Sequence, residues 1–509
     1  MPDYLVVLDI PSIKQYVFMT HKLKEIQGAS IILDKLNRID FYKQLATYLP
    51  SKKIDPIYAN GGSAMFVVSD MEEVPLQMAL AALEGHVKRV TCGGASIVWG
   101  LSEYKNDFNL EIKIAHFDLS IKRHQSVPAE SIFHSPFSKE CDSCSRLVAI
   151  SDIDEDWLCP VCKTKRDFSS QRTGIWQEFN NYLSQKFNLK NPANRPTDFS
   201  EIGKACDGDF LAIVYADGNS IGRLIREINT KKRFKNFAQV IDSSIKLACF
   251  DALTKIFLNI IEQEGNGNIS FPADILLLGG DDLLVALPGD KALSFAYNAS
   301  IIFESLTKKF FTETKDNFFN EKLGGMGSTI SFGIALGKSH YPFRVLLSQA
   351  EELLRCAKIA GSQDPDAKDF YIPSYLDFHL SSQSHQLNIP HIREIDYSFE
   401  RNIGEGTLKY SRTFRPYKTQ DLKKLFDVAS NLKAINFPKT KLNGLYRAAM
   451  ENRSQSMLET IRIATRCKEG ERKVLLEALE LFDCRETMPW SPGNRTFVTE
   501  LVEFYEFMS

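Results

Sequence analysis

The same three elements occur twice along the chain, in the same order. In each copy an apolar run comes first, an apolar hairpin with a Gly-Gly turn follows, and a run ending in glycine comes third. The first copy comprises residues 4–10, 57–68 and 95–100, and the second comprises residues 211–216, 275–287 and 330–337. Short apolar runs rich in branched residues predict buried strands, and a Gly-Gly turn between two of them predicts a β-hairpin. The order therefore predicts an internal duplication of one α/β unit, with chance similarity between common hairpins as the alternative.

The segments outside the two copies predict the remaining domains. Residues 126–205 contain four cysteines and read as an insert, and apolar residues at helical spacing predict helices in the last part of the chain. We therefore predict an α+β protein with a first repeated domain at 1–125, the insert at 126–205, the second repeated domain at 206–375 and a helical domain at 376–509.

Composition excludes several classes of protein. The 509 residues are 44% hydrophobic and 25% charged, which is ordinary for a globular protein, and no apolar run is long enough to span a bilayer. A formal net charge of −2 gives no sign that the whole chain binds nucleic acid. The amino terminus lacks the pattern of a signal peptide, so we expect a cytoplasmic protein without a membrane partner.

Two Cys-x-x-Cys pairs, Cys141/Cys144 and Cys159/Cys162, predict a metal site in the insert. Each such turn presents two thiolates to one ion, and four thiolates complete the tetrahedral shell of a structural Zn²⁺. A redox role for one pair is the alternative. Because a closed site leaves no position for a substrate, we assign the zinc to folding of the insert.

An acidic turn in the second copy predicts chemistry. Asp281 and Asp282 follow Gly279 and Gly280 at the tip of the hairpin, and Asp217 ends the strand expected beside it. Converging carboxylates bind hard divalent cations, and glycines allow a nucleotide close to the backbone. This arrangement favours two-metal nucleotidyl transfer with Mg²⁺ or Mn²⁺, although acidic hairpin turns are also common on protein surfaces.

Taken together, the motifs resemble a known family. Four stretches resemble, in this order, the palm domain shared by GGDEF cyclases and the large, Cmr-like subunit of type III CRISPR effector complexes. They are Tyr215-Ala-Asp-Gly-Asn-Ser-Ile-Gly222, Leu278-Gly-Gly-Asp-Asp282, Ser331-Phe-Gly-Ile-Ala335 and, within a predicted helix, Ala350-Glu-Glu-Leu-Leu-Arg-Cys-Ala-Lys358. The second family fits better. Its first palm carries a stretch like Leu23–Asn37, and a cysteine module separates its palms, whereas Leu283 and Leu284 depart from the GGDEF pattern.

The resemblance implies two ferredoxin-like palm domains that bind two ATP molecules and join them into cyclic oligoadenylate. The implied partners are other effector subunits with crRNA and target RNA. Asp217, Asp281 and Asp282 would hold the catalytic metals. The residues implied to contact nucleotide are Gly218, Asn219, Ser220, Gly279, Gly280 and Lys358 in the second palm and Gly61, Gly62 and Ser63 in the first. From spacing alone, Lys358 is equally read as part of a solvated helix face.

The first palm has Gly61-Gly62-Ser63-Ala64 where the second has the acidic turn, so we expect it to serve as an acceptor or structural half, with Asp9 structural. No histidine is followed by aspartate, and we therefore expect no HD nuclease site. A free-standing cyclic nucleotide synthase in antiviral defence and a scaffold subunit without activity remain as alternatives.

Overall fold

The computed structural model describes the chain except for residues 51, 106, 126–136, 154, 265–268, 315, 382–387, 404–405 and 508–509, and except for the side chains of 125, 264, 403, 506 and 507. Within the described residues, no helix combines the length and the apolar character that crossing a bilayer requires.

The elements follow one another in four groups. The first group is β1 (Tyr4–Asp9), α1 (Ile13–Val17), α2 (Leu23–Lys35), a π-helical turn (Leu36–Asp40), α3 (Phe41–Tyr48), β2 (Ile54–Asn60), β3 (Ser63–Val68), α4 (Glu73–Val90), β4 (Val98–Glu103) and α5 (Phe108–Gln125). The second is β5 (Ser151–Ile153), β6 (Asp156–Leu158), α6 (Pro160–Ser169), α7 (Ile175–Phe187) and α8 (Phe199–Gly203). The third is β7 (Phe210–Gly218), α9 (Ile221–Glu227), α10 (Lys231–Ile256), α11 (Leu258–Glu264), β8 (Asp274–Gly279), β9 (Asp282–Pro288), α12 (Gly289–Glu313), α13 (Phe318–Lys322), β10 (Ile330–Lys338), α14 (Phe343–Ser362) and β11 (Tyr375–Leu380). The last is α15 (Ile389–Asp396), β12 (Ser398–Ile403), β13 (Gly406–Ser411), β14 (Tyr417–Lys418), α16 (Thr419–Ala434), α17 (Lys439–Glu451), α18 (Arg453–Arg466), α19 (Glu469–Leu481) and α20 (Val498–Phe507).

The two larger sheets repeat one topology. The first has the order β2-β3-β1-β4, and the second has the order β8-β9-β7-β10 within a longer sheet that β11 and β14 extend. In both, the first strand of the copy lies in the middle and runs antiparallel to its two neighbours. This is the ferredoxin-like arrangement of a palm, so the predicted α+β class with two palm-like sheets is confirmed.

Side chains on both faces of the central strands are buried, which explains their continuous apolar sequence. Along β1, Leu5 and Val7 enter one core while Val6 and Leu8 enter the other. Strand β7 repeats this alternation, and both cores contain residues from both sheets. The two palms therefore share their hydrophobic cores.

The segment between the palms divides between them. The cysteine module, which we define as residues 137–169 without residue 154, contains β5, β6 and α6 and packs on α2 of the first palm. Helix α7 instead places Trp176, Phe179 and Leu183 in the core shared with α10 of the second palm. The predicted insert thus contacts both palms through different elements.

Helix α2 approaches α6 closely at Gly28. A Cβ atom built on Gly28 would lie 1.6 Å from the carbonyl oxygen of Lys165, which belongs to the α6 backbone. We expect Gly28→Ala to lower the free energy of unfolding by about 3 kcal/mol, because this backbone contact cannot relax by a rotamer change. Scanning calorimetry measures the effect. Gly222→Ala in α9 is the matched control, since nothing lies within 4 Å of its Cβ position, and an equal loss in both variants would contradict the argument.

The last part of the chain contains more strand than its sequence pattern indicates. Strand β11 begins at Tyr375 and pairs in parallel with β10, so the sheet of the second palm continues past residue 375. Strands β12 and β13 form a separate hairpin, and helices α16–α20 make up most of the chain after β14. The sequence pattern missed these strands because β11 alternates poorly and β12 and β13 are largely polar.

Candidate functional site

The Gly-Gly turns of the two palms face each other. A Cβ atom on Gly61 would lie 3.5 Å from the carbonyl oxygen of Gly279, and one on Gly279 would lie 2.5 Å from Asn60 Oδ1. Gly61 and Gly280 have φ angles of 60° and 65°, which glycine adopts without strain. Glycine is therefore required here both for the turns and for their close approach.

A cavity of about 410 Å³ lies where the turns meet. Residues from both palms line it, and the lining combines apolar and polar groups. The apolar residues include Ile57, Ile221, Ile225, Phe234, Phe237 and Ile241, and the remaining residues include Asn60, Gly61, Ser63, Asp242, Gly279, Gly280, Asp281 and Asp282. A cleft that combines apolar surface with polar groups is the usual form of a small-molecule site.

The acidic residues of the second palm lie beside one another. Asp217 and Asp282 are register partners on the neighbouring strands β7 and β9. The amide of Gly218 donates to the carbonyl oxygen of Asp281 over 3.2 Å, and the Asp281 carboxylate lies against Gly218. The structure thus brings the three predicted carboxylates to one strand end and the adjoining turn.

Burial raises the pKa of the two carboxyl groups at the turn, Asp281 and Asp282. Desolvation, and then the charge of Asp282, raise the pKa of Asp281 to about 6. Desolvation also raises the pKa of Asp282, against the opposing effects of Lys14 and of the hydrogen bond that Tyr215 donates over 3.2 Å. Excess negative charge in a half-buried site favours binding of a cation.

Lys358 supplies a cation at this place. Its ammonium contacts the Asp217 carboxylate and donates to the carbonyl oxygen of Gly218 over 3.0 Å. Burial lowers the pKa of Lys358 to about 8. The predicted helix, α14, therefore brings Lys358 to the acidic cluster rather than to a solvated face, and its predicted contact with phosphate remains a prediction.

The donor set fits a divalent metal. The Asp217 carboxylate and the Gly218 carbonyl oxygen both contact one positive charge, the Lys358 ammonium. Oxygen donors of this kind are the ligands that Mg²⁺ and Mn²⁺ prefer. The three carboxylates do not form a closed cluster, however. Among the described residues, only the four cysteines form a group of three or more potential ligands within 4.8 Å of one another.

A second cavity, of about 660 Å³, lies at the same strand end and shares Asp282 with the first. Its lining includes Asp217, Asp282, Lys358, Lys14, Tyr215, Glu351 and Arg355. Lys14, from the first palm, forms an ion pair of 3.1 Å with Glu351 and lies 4.4 Å from the centre of the Tyr215 ring. Sequence reasoning missed Lys14, although the aligned Asp9 and Asp217 motifs place it at the same offset as Gly222.

Two of the residues implied to contact nucleotide have structural roles. Asn219 is 4% exposed, and its amide donates to Thr329 Oγ1 over 3.0 Å. Ser220 adopts a left-handed conformation with φ 59°, and its hydroxyl is buried. Asn219 and Ser220 therefore shape the loop after β7, and direct contact with a nucleotide would require the Asn219 side chain to leave the interior.

In the first palm, Ser63 takes the place that Asp282 has in the second. It pairs in register with Asp9, as Asp282 pairs with Asp217. Ser63 Oγ accepts a hydrogen bond of 3.2 Å from the Tyr58 hydroxyl and lines the cavity between the turns, as Gly61 does. Gly62 instead lies against Ile13. Asp9 forms an ion pair with Arg123, which parallels the pair between Asp217 and Lys358.

Asn60 is a further site residue that the sequence analysis did not select. Its amide donates to the carboxylate of Asp242, and its Oδ1 accepts from the Gly61 amide over 2.8 Å. Asn60 thereby joins the turn of the first palm to helix α10 of the second. The sequence indicates Asn60 only as an asparagine directly before a Gly-Gly turn. Its contact with Asp242 depends on how the two palms pack and could be found only from the fold.

The four cysteines of the insert are buried together. The sulfurs of Cys144 and Cys159 are 3.9 Å apart, close to the roughly 3.8 Å edge of a tetrahedron with Zn–S bonds of about 2.3 Å. The amide of Cys162 donates to Cys159 Sγ over 3.4 Å. A cluster of four buried sulfurs in this arrangement can bind zinc, as the spacing predicts.

Comparison with known proteins agrees with this geometry. Residues 210–366 match the family model described as Cas10/Cmr2, second palm domain, whereas no curated protein matches the chain. The crystal structure of a Csm1–Csm4 cassette in complex with cA4 has a TM-score of 0.59 at 12% identity, over 99% of this chain and 70% of that chain. Csm1 of T. onnurineus has a TM-score of 0.56 at 11% identity, over 100% and 70% of the two chains.

A third similar structure is the Csm1–Csm4 subcomplex of the type III-A CRISPR-Csm interference complex, with a TM-score of 0.56 at 12% identity over 99% of this chain and 70% of that chain. At such identities the likeness concerns the fold. The resemblance indicated by the sequence motifs is confirmed: residues 210–366 match the Cas10/Cmr2 second palm domain, and the fold of the described chain is similar to that of Csm1.

Proposed function

We propose that the protein is a metal-dependent nucleotidyltransferase that converts ATP into cyclic oligoadenylate as a subunit of a type III CRISPR effector complex. The observation that carries the proposal is that Asp217, Asp281 and Asp282 lie at one strand end and its adjoining turn, where the Gly-Gly turns of two palms meet. The match to a Cas10/Cmr2 second palm supports it, as does the similarity of fold to a Csm1–Csm4 cassette in complex with cA4.

Asp217, Asp281 and Asp282 would hold one or two Mg²⁺ or Mn²⁺ ions. When bound, these ions would lower the pKa of an attacking hydroxyl and offset the charge of the transferring phosphoryl group. The residues of the chain have separate tasks. The glycine turns allow close approach to the backbone, and the apolar residues that line the cavity offer a surface for a base.

Lys358 would change partner during binding. In the structure its ammonium neutralises Asp217, and a cation bound by Asp217 would release it toward the adjacent cavity. Lys14 and Arg355 also line that cavity, beside three acidic side chains, so it offers three positive side chains that a phosphate group could contact. We propose that Lys358 then binds a phosphate group of ATP, as a point charge on a flexible stem does.

The first palm would present the second ATP without activating it. Ser63 stands where the second palm has Asp282, and a neutral hydroxyl can donate to a nucleotide but lacks the negative charge with which a carboxylate binds a divalent cation. The assembly partners follow from the family: we propose that other effector subunits hold crRNA and target RNA.

The deciding experiment is mass spectrometry of the products formed from ATP with Mn²⁺ or Mg²⁺. The purified chain and its reconstituted effector complex are compared, with and without target RNA. We expect cyclic oligoadenylate from the complex with target RNA. Cyclic product from the isolated chain at the same rate would favour a free-standing synthase, and no product under any condition would leave a scaffold without activity.

The division of labour between the palms gives a prediction for Ser63. We expect Ser63→Ala to raise the KM for ATP by about 2- to 10-fold, which corresponds to the loss of one hydrogen bond, with the dependence on Mn²⁺ unchanged. Asp217→Ala should instead abolish the response to Mn²⁺. Titrating ATP and Mn²⁺ against each variant measures both effects, and an unchanged KM in an active Ser63→Ala protein would exclude a nucleotide contact through this hydroxyl.

A further inference from the structure

Residues Leu23–Ser30 begin the Leu23–Asn37 stretch of the sequence analysis, form the first turns of α2 and take no part in the chemistry proposed above. They are nonetheless almost entirely buried, including two polar side chains: Glu25 is 0% exposed and Gln27 is 4% exposed. Buried polar side chains are costly unless they are hydrogen-bonded, so the partners of these two residues indicate what the stretch does.

One partner is the cysteine module. Glu25 Oε1 accepts a hydrogen bond of 2.9 Å from Arg166 Nε, and Arg166 also donates to Asp156 over 2.8 Å. Arg166 lies on α6, four residues after Cys162, and Gly28 lies against the α6 backbone one residue earlier. The α2 helix is therefore fixed to the module that the cysteines hold together.

The other partner is the second palm. Gln27 Nε2 donates to Asp274 Oδ2 and to the carbonyl oxygen of Pro196, each over 2.8 Å. Arg195 Nε donates to the other oxygen of Asp274 over 2.7 Å. Asp274 is fully buried, so these bonds are what satisfies its carboxylate.

Asp274 is the first residue of β8, and the same strand ends at Gly279 in the acidic turn. Strand β8 lies at the edge of its sheet and pairs on one side only, with β9. An edge strand lacks a second row of backbone hydrogen bonds, so bonds from outside the sheet matter more to its position. Gln27 supplies such a bond at the end of β8 opposite the turn.

We propose that Gln27 and Asp274 are positioning residues that fix the β8–β9 hairpin, and with it Asp281 and Asp282, against the first palm and the cysteine module. Helix α2 is the common support: Glu25 and Gly28 face the module, while Gln27 faces the hairpin. The consequence for activity rests on the proposed function, whereas the consequence for the hairpin does not.

Amide hydrogen exchange of the full chain tests the positioning directly. Gln27→Met keeps the volume of the side chain but removes both donors, and we expect amide exchange across residues 274–288 to become about 10-fold faster. Lys24→Ala, at an exposed position on the same helix, is the matched control and should leave exchange within about 2-fold of the wild type. Unchanged hairpin exchange in Gln27→Met would overturn the proposal.

An exchange of partners separates positioning from general stability. In Gln27→Glu two carboxylates would face each other, so the hydrogen bond between positions 27 and 274 would be lost. Adding Asp274→Asn places an amide donor opposite the new carboxylate and restores that bond with donor and acceptor exchanged. A carboxylate at position 27 cannot donate to the Pro196 carbonyl oxygen, so we expect Gln27→Glu/Asp274→Asn to recover part of the protection, with hairpin exchange clearly slower than in Gln27→Glu alone. A double variant that exchanges as fast as Gln27→Glu would show that the bond between positions 27 and 274 does not hold the hairpin, and the proposal would fail.

Kinetics supply the functional measure. In the active complex, we expect Gln27→Met to lower kcat about 10-fold while KM for ATP stays within about 2-fold, because misplaced carboxylates affect the reacting atoms more than binding. Equal loss in Lys24→Ala would contradict the role in catalysis. If the wild type forms no product, the proposed function fails, and the exchange measurement alone then decides whether these residues position the hairpin.

Discussion

Replacing Asp281 and Asp282 together by alanine is expected to abolish synthesis of cyclic oligoadenylate, with a fall in rate of roughly a thousand-fold or more. Both carboxylates lie at or beside the turn that meets the first palm, and their loss leaves Asp217 as the single acidic member of the group. Without them, the charge of the transferring phosphoryl group has no bound cation to offset it. Product yield measured by mass spectrometry gives the result.

The same double variant should remain folded. Burial raises the pKa of both carboxyl groups, so their ionisation at neutral pH opposes folding rather than supporting it. For Asp281, stability is expected to fall as the pH rises through about 6, because the folded state binds the proton more tightly than the unfolded state. In metal-free buffer at pH 8, the melting temperature of the double variant should therefore equal or exceed that of the wild type.

Asp207→Ala is the control for this experiment, because Asp207 is exposed in the loop that precedes β7 and lies outside both cavities. It should retain wild-type yield and metal dependence. Wild-type yield from the Asp281→Ala/Asp282→Ala protein would contradict the assignment of the metal site. A large fall in its melting temperature would contradict the account of the turn.

Local sequence pattern predicted the parts of the fold that depend on local sequence. The apolar runs at 4–10 and 211–216 form the central strands β1 and β7. A strand with apolar side chains on both faces is stable only where both faces are buried, and these two strands lie between the two hydrophobic cores. The Gly-Gly hairpins were also predictable from local sequence, because their turns require positive φ angles at Gly61 and Gly280. The order of these elements was sufficient to predict the duplication.

Contacts between distant segments explain what the sequence could not predict. Lys14 reaches Glu351, and Asn60 reaches Asp242, only because the palms pack turn against turn. Strand β11 extends the sheet of the second palm by pairing with the outer edge of β10. The sequence of residues 375–380 alone gives no sign of this pairing. The ion pair between Lys358 and Asp217 was predictable only in part. The sequence placed Lys358 on a helix near the site, but it did not identify Asp217 as the partner.

The cysteine module gives the second large expected effect. The purified chain should contain about one zinc per molecule, and Cys141→Ser should lose it. Cys141 is 1% exposed and lies with three other buried sulfurs, all within 4.8 Å of one another. Four thiolates held this close repel one another unless a cation binds them, so losing one ligand should release the metal and open the module.

Loss of the module should spread to the first palm, because α2 packs on α6 through Gly28 and through the bond between Glu25 and Arg166. We expect the melting temperature of Cys141→Ser to fall by at least about 5 °C, with cleavage by protease appearing first in residues 137–169. Cys92→Ser is the matched control, since Cys92 is exposed and outside the cluster. Elemental analysis and calorimetry give the readouts, and a well-folded wild type without zinc, or equal loss of stability in Cys92→Ser, would contradict the structural role of the metal.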